Sequence, residues 1–144
     1  MSTSEILAVL TEQHDAIAAG DAERAIATYA PEPVVYNLAP PLVQTVTDDD
    51  ASGLAEWIAS FTAPPKLAHH DPVVHVDGDL AFVHTLTSMS GDKGGEFTLW
   101  FRSTIGLRRV DGHWRVVHQH ESVPFHMDGS FRAAVELEPG GQVR

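Results

Sequence analysis

Cysteine is absent from the 144 residues, which removes disulfides, thiolate nucleophiles and thiolate metal sites together and fits a reducing compartment. Basic residues are scarce: nine Lys and Arg stand against 20 Asp and Glu, a formal net charge of −11. Such a surface repels phosphate backbones and anionic lipid, so neither nucleic acid nor a membrane is an expected partner. Long apolar runs are missing as well. Nothing approaches the roughly 18 consecutive apolar residues of a membrane-spanning helix, and Met1 to Leu10 lacks the basic start and apolar stretch of a secretion signal. The chain is therefore expected in the cytoplasm. There is no Gly-x-Ser-x-Gly elbow, no phosphate-cradling Gly-rich loop before a helix and no His-Glu-x-x-His, although His120-Glu121 forms the first half of the last.

What is present is a helical first part. Ser2 with Glu5 three residues on reads as a capping box, and Ile6, Leu10 and Ile17 recur at helical spacing until Ala18-Ala19-Gly20 stops the run. Asp21 can cap a second helix with Ala22, Ala25, Ile26 and Tyr29 as its apolar stripe. Pro31 and Pro33 then force extended chain, giving a short strand over Val34 to Asn37. After Ala39-Pro40-Pro41, the run Asp48-Asp49-Asp50 places negative charge where a helix start favours it. Leu54, Trp57, Ile58 and Phe61 line one face of this third helix.

From Leu67 the period becomes alternating. Asp77-Gly78 and Asp111-Gly112 are hairpin turn signals between runs rich in Val, Phe, Thr and Leu. Four long strands are predicted: Leu67 to Val76, Leu80 to Met89, Glu96 to Arg109 and His113 to Val123. Helices first and a meander afterwards indicate an α+β domain with helices laid across one sheet face.

If Asp111 and Gly112 are the two residues of a tight turn, Val110 lies opposite His113. One face then carries Leu107 with Val116, Ile105 with His118, Ser103 with His120 and Phe101 with Ser122. The other carries Gly106 with Val117, Thr104 with Gln119, Arg102 with Glu121 and Trp100 with Val123. A three-residue loop ending in a bulge at Gly112 would instead place Arg102 opposite His120. Apolar residues on both faces suggest that a second subunit covers one of them, so a homodimer is expected.

The pair Arg102 and Glu121, with Thr104 and Gln119 beside them, could line a small-molecule site, because an arginine fork holds a carboxylate or a ligand oxygen. A structural cross-strand ion pair is the alternative. Trp57, Phe61 and Tyr36 could close the apolar side, with Trp100 on the same face as Arg102; for Trp57 and Phe61 core packing is the competing role. His118 and His120, with a third ligand such as His84, have a spacing that a metal could use. An acidic ligand is missing where Val123-Pro124-Phe125 stands, so no metal is assigned. The three-aspartate run is read as a solvated helix start.

The segments Asp111-Gly112-His113-Trp114 and His118-Gln119-His120-Glu121-Ser122, within Leu107 to Pro124, resemble the final hairpin of the nuclear transport factor 2-like superfamily. The similarity is to SnoaL-like proteins and to the calcium/calmodulin-dependent kinase II association domain, and it spans about Ile6 to Pro124. A domain over 1–124 and a tail over 125–144 follow. The resemblance implies three helices packed on a strongly curved antiparallel sheet, forming a cone-shaped pocket, with subunits pairing through their sheets. By it, Arg102 matches a pocket arginine of the kinase domain, while Glu121 stands where that domain has a second arginine. This charge reversal speaks against carrying over acidic-ligand binding, because Glu121 could either neutralise Arg102 or act as a carboxylate base. In the ketosteroid isomerases of the superfamily a carboxylate abstracts a proton beside a carbonyl and a tyrosine stabilises the enolate; Glu121 and Tyr36, with Arg102, are the candidates by type. The expected function is a small-molecule pocket protein of SnoaL-like type, an isomerase, cyclase or hydrolase-like enzyme acting on a carbonyl substrate without a cofactor. The alternatives are a non-catalytic ligand-binding or assembly module and a His-based metalloenzyme.

Overall fold

The change from helical to alternating period falls at Lys66 in the computed structural model, which describes residues 2–46 and 50–140. Three helices form: α1 (Ser2–Ala18), α2 (Ala22–Ile26) and α3 (Asp50–Ala59). Helix α1 already begins at Ser2, so its cap position falls on Met1, outside the described residues. The Asp21 cap is seen directly, its side chain accepting from Arg24 N–H at 3.1 Å. Of the aspartate run, Asp50 opens α3 while Asp48 and Asp49 lie outside the described residues.

Six strands follow the sequence order β1 (Tyr29–Tyr36), β2 (Gln44–Thr45), β3 (Lys66–Asp77), β4 (Leu80–Asp92), β5 (Glu96–Val110) and β6 (His113–Ser122). The four long strands stand within a few residues of their predicted bounds. Strand β1 starts earlier than predicted, taking Tyr29 out of the second helix. Its two prolines fit because the pairing with β6 shifts between Tyr29 and Val34, where Glu32 takes a left-handed φ of 55°. The last hairpin turns at Asp111 and Gly112, with φ 51° and 79°, the double positive φ of a primed turn that matches strand twist.

The expected cone-shaped pocket under a strongly curved antiparallel sheet is not what forms. The sheet is open and not strongly curled, in the order β2-β1-β6-β5-β4-β3, and it is mixed, because β1 runs parallel to β6. The space that a cone would enclose is occupied: Ile6 and Leu10 of α1 pack onto Ala81, Val83, Ile105, Leu107, Trp114 and Val116. A second cluster, Ala16, Ile17, Ala22, Ala25 and Ile58, joins the three helices. We call the sheet face under α1 inner and the opposite face outer. Leu107 is fully buried at the centre of the inner face. Leu107→Ala should therefore cost about 2–5 kcal/mol in chemical denaturation; a loss below about 1 kcal/mol would show that this centre is loosely packed.

Beyond β6 the chain turns back on itself, with Phe125 bridged to Ala133 and Ala134 buried. Among the described residues no helix is long and apolar enough to cross a membrane.

Candidate active site on the inner sheet face

Register decides which side chains meet. The tight turn places Val110 opposite His113 and Leu107 opposite Val116, as predicted, but the pairing then shifts between Gly106 and Leu107, leaving Val117 as an extra residue in β6. Beyond this bulge every partner moves by one: Ile105 faces Gln119, Ser103 faces Glu121 and Arg102 faces Ser122. Gln119 and Glu121 thus share the inner face with Ser103 and Ile105, whereas Arg102 and Thr104 share the outer face with His118 and His120. The predicted pairs Arg102 with Glu121 and Thr104 with Gln119 are not formed, and neither is the alternative of Arg102 opposite His120.

Tyr36 also stands on the outer face, opposite His120, its ring 4.9 Å from that of His118 and 5.3 Å from that of His120. Trp100 is there too, its ring tilted against that of His70 with centres 4.4 Å apart. Trp57 and Phe61 pack edge to face at 5.0 Å against the far end of the sheet, where Phe61 meets Phe97 and Gly91. The eight predicted site residues are thereby divided: Glu121, Gln119, Trp57 and Phe61 on the inner side, and Arg102, Tyr36, Trp100 and Thr104 on the outer. His118 turns its Nδ1 to the Val34 carbonyl at 2.7 Å. No group of three or more His, Cys, Asp or Glu suited to a metal occurs among the described residues.

What Glu121 and Gln119 do meet is a belt of polar side chains that begins and ends on α1. Gln119 Oε1 accepts from the Tyr29 hydroxyl at 3.1 Å, and Gln119 lies near enough to Glu121 to favour its ionised form. Tyr29 also has Gln13 near its hydroxyl, and the Gln13 amide donates to Thr28 Oγ1 at 3.1 Å. On the other side of Glu121, Ser103 Oγ lies 2.8 Å from Thr87 Oγ1, and Thr87 Oγ1 lies 2.9 Å from His69 Nδ1. The His69 ring rests 4.1 Å from that of His14, the neighbour of Gln13 on α1. Ser103, Thr87, His14 and Gln13 are buried, so each hydroxyl, amide or imidazole there needs a partner. Tyr29, Gln119 and Glu121 keep partial exposure and form the approachable end of the belt.

The surroundings set the protonation states. Burial pushes the Glu121 carboxyl up to about 7, with Gln119 pulling the other way. The Tyr29 phenol is pushed well above its ordinary range by burial and by the negative charge of Glu121. Burial lowers His14 to about 4, and burial together with His14 and His70 lowers His69 to about 3. Near neutral pH the belt therefore holds a carboxyl poised between its two forms, a protonated phenol and two neutral imidazoles. Open depressions lie elsewhere, one of about 500 Å³ between Pro64, Lys66, Asp92 and Phe97 and one of about 380 Å³ on the outer face.

Six of these residues, Gln13, His14, Tyr29, His69, Thr87 and Ser103, are not among the sequence-based candidates. A signal for two of them exists: the slots three and four positions after Leu10 in the buried stripe of α1 hold Gln13 and His14 rather than apolar residues.

A family model described as a SnoaL-like domain matches residues 6–126. No curated protein matches this chain. Among solved structures, a nuclear transport factor 2-like protein of unknown function from Pseudomonas putida KT2440 is 27% identical over 96% of this chain and 99% of its own, with a TM-score of 0.83. A protein from Novosphingobium aromaticivorans, provisionally named a scytalone dehydratase, is 18% identical over 92% of this chain and 91% of its own, with a TM-score of 0.74. A provisionally named calcium/calmodulin dependent protein kinase II association domain from Xanthomonas campestris is 22% identical over 82% of this chain and 84% of its own, with a TM-score of 0.70. At their level of identity, the last two show the fold alone.

Proposed function

We propose that this chain, which belongs to the SnoaL-like domain family, is an enzyme that moves a proton beside the carbonyl group of a small, largely apolar substrate. The observation that carries this reading is Glu121, a recessed carboxyl held near neutrality at about 7 and set beside the protonated Tyr29 phenol. A base works best when its proton affinity lies near the working pH, because it is then both available and strong. In its ionised form Glu121 takes the proton from the carbon next to the carbonyl, and the electron pair moves onto the carbonyl oxygen. Tyr29, turning its hydroxyl from Gln119 to that oxygen, stabilises the enolate. Glu121 then returns the proton to another carbon of the substrate, or to a leaving hydroxyl.

Gln119 positions Tyr29, since its amide oxygen accepts from the phenol, and it stands beside Glu121, whose ionised form it favours. Behind Glu121, the hydroxyls of Ser103 and Thr87 and the His69 imidazole form a buried hydrogen-bonded path. The provisional name of the Novosphingobium neighbour, a dehydratase, falls in the same class of proton transfers. Arg102 and Tyr36 take no part, being on the outer face. That face exposes Val73, Leu80, Phe82 and Leu86, and we assign it to contact with a second copy of the chain, as an apolar patch of this kind is covered in stable proteins.

The reading is tested by proton exchange. With a panel of enolisable cyclic ketones in D2O, the wild-type protein should incorporate deuterium beside the carbonyl of at least one of them. Glu121→Gln should slow that exchange by about 100-fold or more, and Tyr29→Phe should also slow it. Undiminished exchange in Glu121→Gln would remove the base from the account. Saturable binding of a ketone without exchange would favour a ligand-binding role for the same belt.

A further inference from the structure

The segment after β6 folds back as a hydrogen-bonded hook. Ala134 N–H donates to the Pro124 carbonyl at 2.7 Å and His126 N–H to the Arg132 carbonyl at 2.8 Å. Ser130 N–H donates to Asp128 Oδ1 at 2.9 Å, and His126 Nε2 meets Glu136 Oε1 at 2.5 Å. On this frame Phe125 and Phe131 hold their rings 5.5 Å apart, with Phe131 75% and Met127 88% exposed. Phe131 also has φ 57°, a left-handed conformation that bulky residues avoid. A frame that holds an aromatic ring against its backbone preference, and in water, has the form of a contact surface without its partner.

The outer sheet face complements the hook in charge. In a chain of net charge −11, the outer positions of β4, β5 and β6 from Leu80 to Ser90, Thr98 to Arg108 and Arg115 to Ser122 hold no carboxylate. Arg102 lies at their centre with no ion pair or hydrogen bond among the described residues. It borders the depression of about 380 Å³, whose other walls include His70, His84, Leu86 and Thr104, with Asp71 of the β3 bulge at one side. The hook, residues 125–140, brings Asp128, Glu136 and Glu138 against a single arginine, Arg132.

We propose that the hook of one copy docks on the outer sheet face of a second copy, with Phe131 in the depression beside Arg102 and the hook's carboxylates towards Arg102 and the histidines. The inference rests on the self-association assigned to that face above. Each copy offers one hook and one receiving face, so two reciprocal contacts close a symmetric dimer.

Sedimentation equilibrium of the full chain tests it. The wild type should be a dimer, and Phe131→Gly should raise its dissociation constant by about tenfold or more while leaving the melting temperature of the monomer unchanged or higher, because glycine relieves the strained φ. Met127→Asp and Phe82→Asp should weaken the dimer in the same direction. A wild-type monomer would overturn both the self-association and the hook. A dimer that Phe82→Asp disrupts but Phe131→Gly and Met127→Asp leave intact would overturn the hook alone.

Discussion

Glu121→Gln is expected to stabilise the protein at pH 8 and to leave its stability unchanged at pH 4. The folded state binds the Glu121 proton with a pKa of about 7, against an ordinary value of 4.5. Below pH 4.5 both folded and unfolded chains keep the proton, and the group contributes nothing. Between pH 4.5 and 7 the unfolded chain releases it first, so stability falls as the pH rises. Above pH 7 the whole cost of burying the charge is present, about 3 kcal/mol as an order of magnitude. Glutamine has the shape of the protonated acid and no charge to bury. Melting curves of the two proteins between pH 4 and 8 should therefore coincide at the acid end and diverge steadily above it. A variant less stable than the wild type at pH 8 would mean that the carboxylate is well solvated or paired. The same substitution removes the proposed base, so greater stability and lost turnover should appear together, as expected where a strained group is kept for function.

The second large effect has the opposite sign. His14 and His69 are held at about 4 and about 3, below the ordinary 6.5 of imidazole, so the unfolded chain takes up their protons first as the pH falls. Stability contributed by the neutral pair is whole above pH 6.5 and is lost as the pH drops towards 4, by about 3 kcal/mol for each imidazole. The wild type should accordingly unfold readily in mild acid. His14→Gln combined with His69→Gln should flatten that acid limb, since glutamine can still serve Thr87 without titrating. Equal slopes below pH 6 for the two proteins would show that the imidazoles gain protons in the folded state as easily as in the unfolded one. With Glu121 favouring acid and the two histidines together favouring neutrality, the stability maximum should fall near pH 7.

The order of elements, the hairpin at Asp111 and Gly112 and the bounds of the long strands were legible because they rest on local rules of periodicity, capping and turn chemistry. The site was less so, and the reason is parity. The bulge at Val117 has no marker beyond two adjacent valines, Val116 and Val117, yet it carries Gln119 and Glu121 to the inner face and leaves Arg102 outside. Glu121 could be singled out as the one carboxylate of its strand, but its partners could not, since they arrive from α1, β1, β3, β4 and β5. Tyr29 was hidden by the stripe of the second helix, which its position continues. The open sheet was equally out of reach: whether helix α1 fills the space above the strands or leaves a cone depends on packing between residues about 100 positions apart, such as Ile6 and Ile105.

The most direct test of this account is the ionisation of Glu121 itself. In protein labelled with carbon-13 at glutamate side-chain carboxyls, the Glu121 resonance, assigned by its loss in Glu121→Gln, should titrate with a midpoint near 7, well apart from the exposed glutamates. A midpoint at or below 4.5 would contradict it, because a carboxyl ionised like any surface glutamate is neither recessed on the inner face nor poised to act as a base.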